Sequence, residues 1–174
     1  DALIHNLPPP QMAAHGLDFA ALAARNPRLV MTSITPYGLT GGKRDWQATD
    51  LTLWNAGGIA YLNGGGYEAD GLPPLKPFGS QAVYQGGVNA ALATLGALLA
   101  PRRSGRGQHV VVSIQQALAA ILELTFEYWP YQGLIASRLG RKPIQPLDFL
   151  ECRDGWVFIC CVEEHQWQEF VRMI

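Results

Sequence analysis

Ser80 is the one aliphatic hydroxyl in the uncharged stretch GSQAVYQGG, Gly79 to Gly87, and no carboxylate stands beside it. A serine attacks an acyl carbon only when a base takes its proton, and the neighbouring residues supply no obvious one. The nearest upstream acids, Glu68 and Asp70, lie in a glycine- and proline-rich loop, Asn63 to Gly79, where they read first as solvated loop charges. Asp50 precedes an apolar run at helical spacing and reads as a helix N-cap rather than a catalyst. His109 opens an apolar strand and reads as structural, while His5 and His15 are weaker candidates for proton transfer. Arg102, Arg103 and Arg106 form a basic turn that resembles a phosphate cluster, yet a solvated helix C-terminus explains it as well. Cys152, Cys160 and Cys161 show neither CxxC nor HxxxH spacing, so no metal is expected and the thiols read as reduced.

The elements that must hold these groups follow from pattern. Ala2-Leu3-Ile4 reads as a strand tip, with Pro8-Pro9-Pro10 a breaker and loop after it. Leu17 to Ala24 reads as a short helix capped by Asp18 and ended at Asn26-Pro27. Leu29 to Thr35 is β-branched and apolar, the signature of a parallel strand covered on both faces. Strand, helix, strand is a βαβ unit, whose ligand edge is the loop Pro36 to Gly42. Asp50 to Leu62 reads as helix interrupted at Gly57-Gly58, where close packing or a kink is expected. Gln85 to Ala100 is apolar on nearly every face and is expected to be buried all round. His109 to Ser113 is a strand, and Ile114 to Tyr128 a second long helix broken at Pro130 and Gly133. Tyr128, Trp129 and Tyr131 read as packing for a domain or subunit interface. Ser137 to Pro146 reads as a linker, Arg153-Asp154-Gly155 as the turn of a hairpin, and Glu163 to Ile174 as a helix with acids at its N-terminus.

Composition bounds the rest. Charged residues make up 16% of the 174, against roughly 25% in soluble domains, while 48% are apolar. A net charge of −1 offers no basic stripe for nucleic acid. No apolar run reaches the roughly 18 residues of a membrane span, so a cytoplasmic protein is expected. The chain opens without Met and stops inside a helical pattern, which suggests a piece of a longer protein.

Four strings, taken together and in order, resemble one family. They are Asp1-Ala2-Leu3-Ile4-His5-Asn6-Leu7 with His15-Gly16-Leu17-Asp18, Asn26-Pro27-Arg28-Leu29-Val30 with Ser33-Ile34-Thr35-Pro36-Tyr37-Gly38, Ser104-Gly105-Arg106-Gly107-Gln108, and Arg153-Asp154-Gly155-Trp156-Val157. They are similar to motifs of the family III CoA-transferases, which include formyl-CoA and carnitine CoA-transferases and α-methylacyl-CoA racemases. The resemblance implies an α/β fold: a Rossmann-like portion of a CoA-binding large domain over 1–113, a crossing helix and linker over 114–147, and the start of a small α+β domain over 148–174. It also implies an interlocked homodimer, or a heterodimer with a paralogous subunit, acting on a CoA thioester and a carboxylic acid.

In that family an Asp carboxylate attacks the donor thioester, becomes an aspartyl-CoA thioester and passes CoA to the acceptor acid. The racemase branch instead exchanges a proton beside the thioester between an Asp and a His. Counting back without a gap from Gly105-Arg106-Gly107-Gln108 places the nucleophile at Val83, and a shift of up to three residues gives Ala82, Gln81 or Ser80. No catalytic residue can therefore be assigned. The resemblance assigns contacts with CoA or acyl-CoA to Asn6, Leu7, Tyr37, Gly38 and Gln47. Three positions that are basic in the family are Pro8, Ala14 and Gln47 here, which weakens the expected grip on the CoA phosphates. The readings left open are a transferase without its usual Asp, a racemase or other enzyme of acyl-CoA thioesters, and a non-catalytic partner of an active chain.

Overall fold

The computed structural model describes residues 1–63, 71–99, 101, 104–138 and 146–174, with Leu124 described by its backbone alone. Glu68, Asp70, Arg102 and Arg103 lie outside the described residues, as does the middle of the expected linker.

Three parallel strands, β1 (Ala2–His5), β2 (Val30–Thr35) and β3 (His109–Ser113), form a sheet in that order. Two short helices, α1 (Pro9–Ala14) and α2 (Phe19–Arg25), carry the chain from β1 to β2. As expected, Asp18 Oδ1 accepts from the Ala21 N–H at 3.0 Å and caps α2. The proline run, expected to be a breaker, instead opens α1, with prolines in its first turn. The fixed φ of proline suits that turn, where the missing N–H costs nothing.

The central strand β2 is buried at every position except Ile34, which is half-buried. Thr94 Oγ1 donates to the Ala90 carbonyl and lies 2.7 Å from Thr32 Oγ1, so Thr32 must supply the proton of that bond. Each buried hydroxyl is thereby satisfied. At the far end of the sheet, the Gly107 N–H donates to the Pro27 carbonyl at 2.7 Å. A Cβ on Gly107 would stand 1.8 Å from the Leu29 carbonyl oxygen, so only glycine fits there.

Between β2 and β3 run α3 (Asp50–Ala56), α4 (Ile59–Leu62) and the long α5 (Gln81–Ala97). The glycine pair separates α3 from α4 as expected. Gly58 has φ +90°, and a Cβ on Gly57 would lie 2.4 Å from Leu118 Cβ. After β3 come α6 (Ile114–Ala120), capped by Ser113, and α7 (Leu124–Gln132). Helix α5 packs on β2, β3, α3 and α6. The core gathers Leu53, Trp54, Ala60, Ala82, Ile114 and Leu118, and the Trp54 indole donates to the Leu75 carbonyl at 3.2 Å.

Two helix expectations need correction. The single helix over Ile114 to Tyr128 is two helices, because the chain leaves α6 through i+3 turns and Glu123 takes φ +42°. Pro130 sits inside α7, two residues from its end, and Gly133 at φ +64° closes it. Tyr128 and Tyr131 line a surface hollow, and Trp129 and Tyr131 are exposed. Helix α5 begins at Gln81 rather than Gln85 and is not buried all round. Its small residues Ala82, Gly86, Ala90, Thr94 and Ala97 face inward, whereas Val88, Leu92 and Leu95 face out. A three-stranded sheet and α6 cover one side of a helix, and no described residue covers the other.

The remaining elements are a hairpin, β4 (Leu147–Cys152) and β5 (Gly155–Cys160), and α8 (Glu164–Met173). Cys152 pairs with Gly155, so Arg153-Asp154 form the expected tight turn. Gln166 Oε1 accepts the Glu163 N–H at 3.1 Å within a capping box that starts α8.

Candidate functional site

The loops that leave the C-terminal ends of β1 and β2 enclose a cavity of about 490 Å³, the place where open parallel sheets take ligands. Asn6, Leu7, Pro8 and Pro10 form one wall, Ile34 to Pro36 the floor, and Arg44 to Ala48 the other wall. Three of the five residues assigned to CoA contact, Asn6, Leu7 and Gln47, thus meet around one space. Tyr37 does not line it directly. It packs edge-on against Trp46, with centroids 6.1 Å apart, and Trp46 does line it. Gly38 stands behind, with φ +89° and its N–H donating to Thr35 Oγ1 at 2.9 Å, which turns the chain away from β2.

Three residues in or beside this wall escaped the sequence reading. Arg44 and Trp46 line the cavity, and Lys43 Nζ lies 5.9 Å from the Tyr37 ring centre and 5.4 Å from that of Trp46, within cation–π range. The signal was present, since Lys43-Arg44-Asp45-Trp46 follows directly on the loop after the second strand. Arg44 Nε pairs with Asp45 at 3.1 Å, both side chains being exposed. Such a pair contributes little to stability.

Ala48 leads from this wall to α3, and here the reading of Asp50 is corrected. Thr49, not Asp50, caps α3, in a reciprocal box with Thr52. That frees Asp50 to reach across to α5, where its Oδ1 accepts the Val83 N–H at 3.0 Å. Its Oδ2 meets Lys76 Nζ at 3.1 Å as an ion pair short of hydrogen-bond geometry. The two side chains are only 19% (Lys76) and 16% (Asp50) exposed. Lys76 also donates to the Pro77 carbonyl at 2.9 Å and to that of Gly79. The positive end of α5 therefore already holds an anion, supplied by α3. Val83 itself is exposed, and Ser80, at the cap position of α5, makes no capping bond.

Behind the Asn6 loop lies a polar ladder that the sequence did not suggest. Ser33 Oγ, on β2, is 2.7 Å from His5 Nε2 on β1 and 2.8 Å from His109 Nε2 on β3. One hydroxyl proton serves one of these bonds, so one imidazole accepts and the other donates through Nε2. Phe19 stacks on His109 at 5.1 Å. Burial lowers both imidazole pKa values. For His5 the Leu7 backbone opposes the shift, and for His109 the neighbouring His5 adds to it. His5 Nδ1 is buried with no partner in hydrogen-bond geometry among the described residues. The strand role read for His109 fits this ladder, and His15 makes no contact with it.

A second hollow, of about 350 Å³, lies beside α8 and includes Cys161, Glu163, Glu164 and Trp167. Its acids are occupied with local bonds, Glu163 with His165 and Glu164 with Gln168. Among the described residues no cluster of three His, Cys, Asp or Glu is placed to hold a metal, and no helix is long and apolar enough to cross a membrane.

The model of the CoA-transferase family III matches residues 1–174. The chain belongs to that family. Among relatives of this chain, the succinyl-CoA:(R)-benzylsuccinate CoA-transferase subunit BbsE of Thauera aromatica is 31% identical over 99% of the chain and 42% of its own length. The succinyl-CoA–L-malate CoA-transferase alpha subunit of Chloroflexus aurantiacus is 31% identical over 97% of the chain and 39% of its own length. A CAIB/BAIF family protein of Brucella suis superposes with a TM-score of 0.79 at 27% identity, over 99% of this chain and 45% of that one. The family III chain thus spans less than half the length of these relatives.

Proposed function

We propose that this chain binds CoA thioesters as part of a family III CoA-transferase and works beside a second chain, or a second half, that carries the attacking aspartate. The observation that carries this reading is the mouth of α5. Where the family resemblance places the nucleophile stands an exposed valine, and its N–H is taken by a carboxylate already paired with a lysine. The cavity between Asn6, Leu7 and Gln47 supports CoA binding. Both relatives compared above are named as subunits, which supports a two-chain assembly. In this reading the pair is an interlocked dimer in the cytoplasm. Residues 1–113 belong to its large domain, 114–147 link, and 148–174 begin its small domain.

The test is to titrate the purified protein with CoA, then incubate it with succinyl-CoA and treat it with hydroxylamine to capture any enzyme-bound CoA ester. The expected result is CoA binding without an ester, and an ester once Val83→Asp is made. Failure of the folded protein to bind CoA overturns the reading. A second reading is favoured by the position of Asp50 at the α5 mouth, namely that Asp50 itself attacks. It predicts an ester in the unaltered protein that maps to Asp50 and disappears in Asp50→Asn, and that result would displace the first reading.

A further inference from the structure

We infer that Lys43, Arg44 and Trp46 form a clamp for the nucleotide end of the CoA thioester, standing in for the basic positions taken here by Pro8, Ala14 and Gln47. The inference rests on the CoA-binding reading above and assigns residues within it. A CoA molecule carries three phosphate groups and an adenine, so a site that holds it needs fixed positive charge and a flat apolar surface.

The wall opposite Asn6 supplies both. Among the described residues that line the cavity, Arg44 alone is cationic. Its ion pair with Asp45 runs through Nε, and its two Nη groups make no hydrogen bond among the described residues. Those nitrogens present the fork that binds phosphate oxygens in pairs. Lys43 adds a second charge next to it, held over Tyr37 and Trp46. Trp46 is 57% exposed although it is the largest apolar side chain in the segment. An indole packed at right angles to Tyr37 and more than half exposed offers a stacking surface for a purine ring. The positions that would otherwise hold the phosphates are Pro8, Ala14 and Gln47, so without this segment no described lining residue is cationic.

Asp45 makes the proposal sharper. It lines the same wall and neutralises part of Arg44, so bound phosphate must compete with it. Removing that carboxylate should therefore tighten binding, the opposite of what removing the cations does.

The experiment is calorimetric titration of the purified protein, the Lys43→Ala/Arg44→Ala double variant, Trp46→Leu and Asp45→Asn with CoA, 3′-dephospho-CoA and pantetheine. All four substituted or cited side chains are exposed, and thermal unfolding checks that each variant folds like the parent. The double variant is expected to lose on the order of tenfold or more in affinity for CoA, less for 3′-dephospho-CoA, and nothing for pantetheine. Trp46→Leu should weaken both nucleotide ligands, and Asp45→Asn should tighten both. Unchanged CoA affinity in the double variant and in Trp46→Leu overturns this inference while leaving CoA binding intact. Absence of CoA binding by the folded parent overturns the underlying reading and this one with it. Equal losses for CoA and pantetheine also overturn it, because they would mean a collapsed cavity rather than a lost phosphate grip.

Discussion

The two faces of α5 are both apolar and differ in size. Inward stand Ala82, Gly86, Ala90, Thr94 and Ala97, all buried. Outward stand Val88, Leu92 and Leu95, with Leu92 71% exposed. A close helix-on-sheet contact selects small residues because backbones must approach, whereas large residues are retained where there is room for a partner surface. The contrast teaches that apolar content marks a helix as destined for burial, while residue size tells which face is filled by the local chain. The hairpin repeats the lesson: β5 is as apolar as β2, yet Trp156 and Phe158 are exposed where β2 is covered by helices. A lone two-stranded ribbon cannot bury its own faces.

The comparison can be broken most forcefully from the inner side. Leu118 is fully buried beneath α3 and near α5, so Leu118→Ala should cost about 2–5 kcal/mol in a denaturant titration. A smaller cost would mean that the inner packing collapses around the gap. Gly86→Ala comes next. Its Cβ would stand 2.8 Å from Ile114 Cγ1, and the overpacking, about 1–3 kcal/mol, should outweigh the gain in helix propensity of about 1 kcal/mol. A rise in Tm would show that the inner face has slack.

The histidine ladder sharpens the contrast by pH. Both imidazoles have lowered pKa values when folded, so below the ordinary histidine value of about 6.5 the unfolded chain binds more protons than the native one. Stability contributed by the pair is therefore present above that pH and is lost as pH falls through it. The slope of stability against pH should flatten in a His5→Gln/His109→Gln variant, and an unchanged slope between pH 5 and 7 would rule the pair out as its source. The smallest effect belongs to the outer face. Leu92→Lys should change stability by less than about 0.5 kcal/mol in this chain. A much larger loss in the whole assembly would locate a partner on that face.

Much of the site was legible because its parts are local. The Asp18 cap, the Gly57-Gly58 break and the Arg153-Asp154 turn each depend on a few neighbouring residues, and all three stand where the pattern put them. The family motifs singled out Asn6, Leu7 and Gln47, and those three line one cavity. Two features that escaped notice join residues distant in sequence. Asp50 reaches Val83 across 33 residues, and Ser33 joins His5 and His109 across 28 and 76. No periodicity reports such meetings, since each partner alone resembles a cap, a turn or a strand residue.

The sequence by itself determined a parallel α/β unit followed by a hairpin, and the family. Only the tertiary structure decided that an acid from another helix occupies the α5 mouth, and that a basic, aromatic segment walls the cavity. The physical reason is range. Propensity and patterning act over a turn or a strand, whereas the Asp50 carboxylate finds the α5 dipole only after folding has brought two distant segments together.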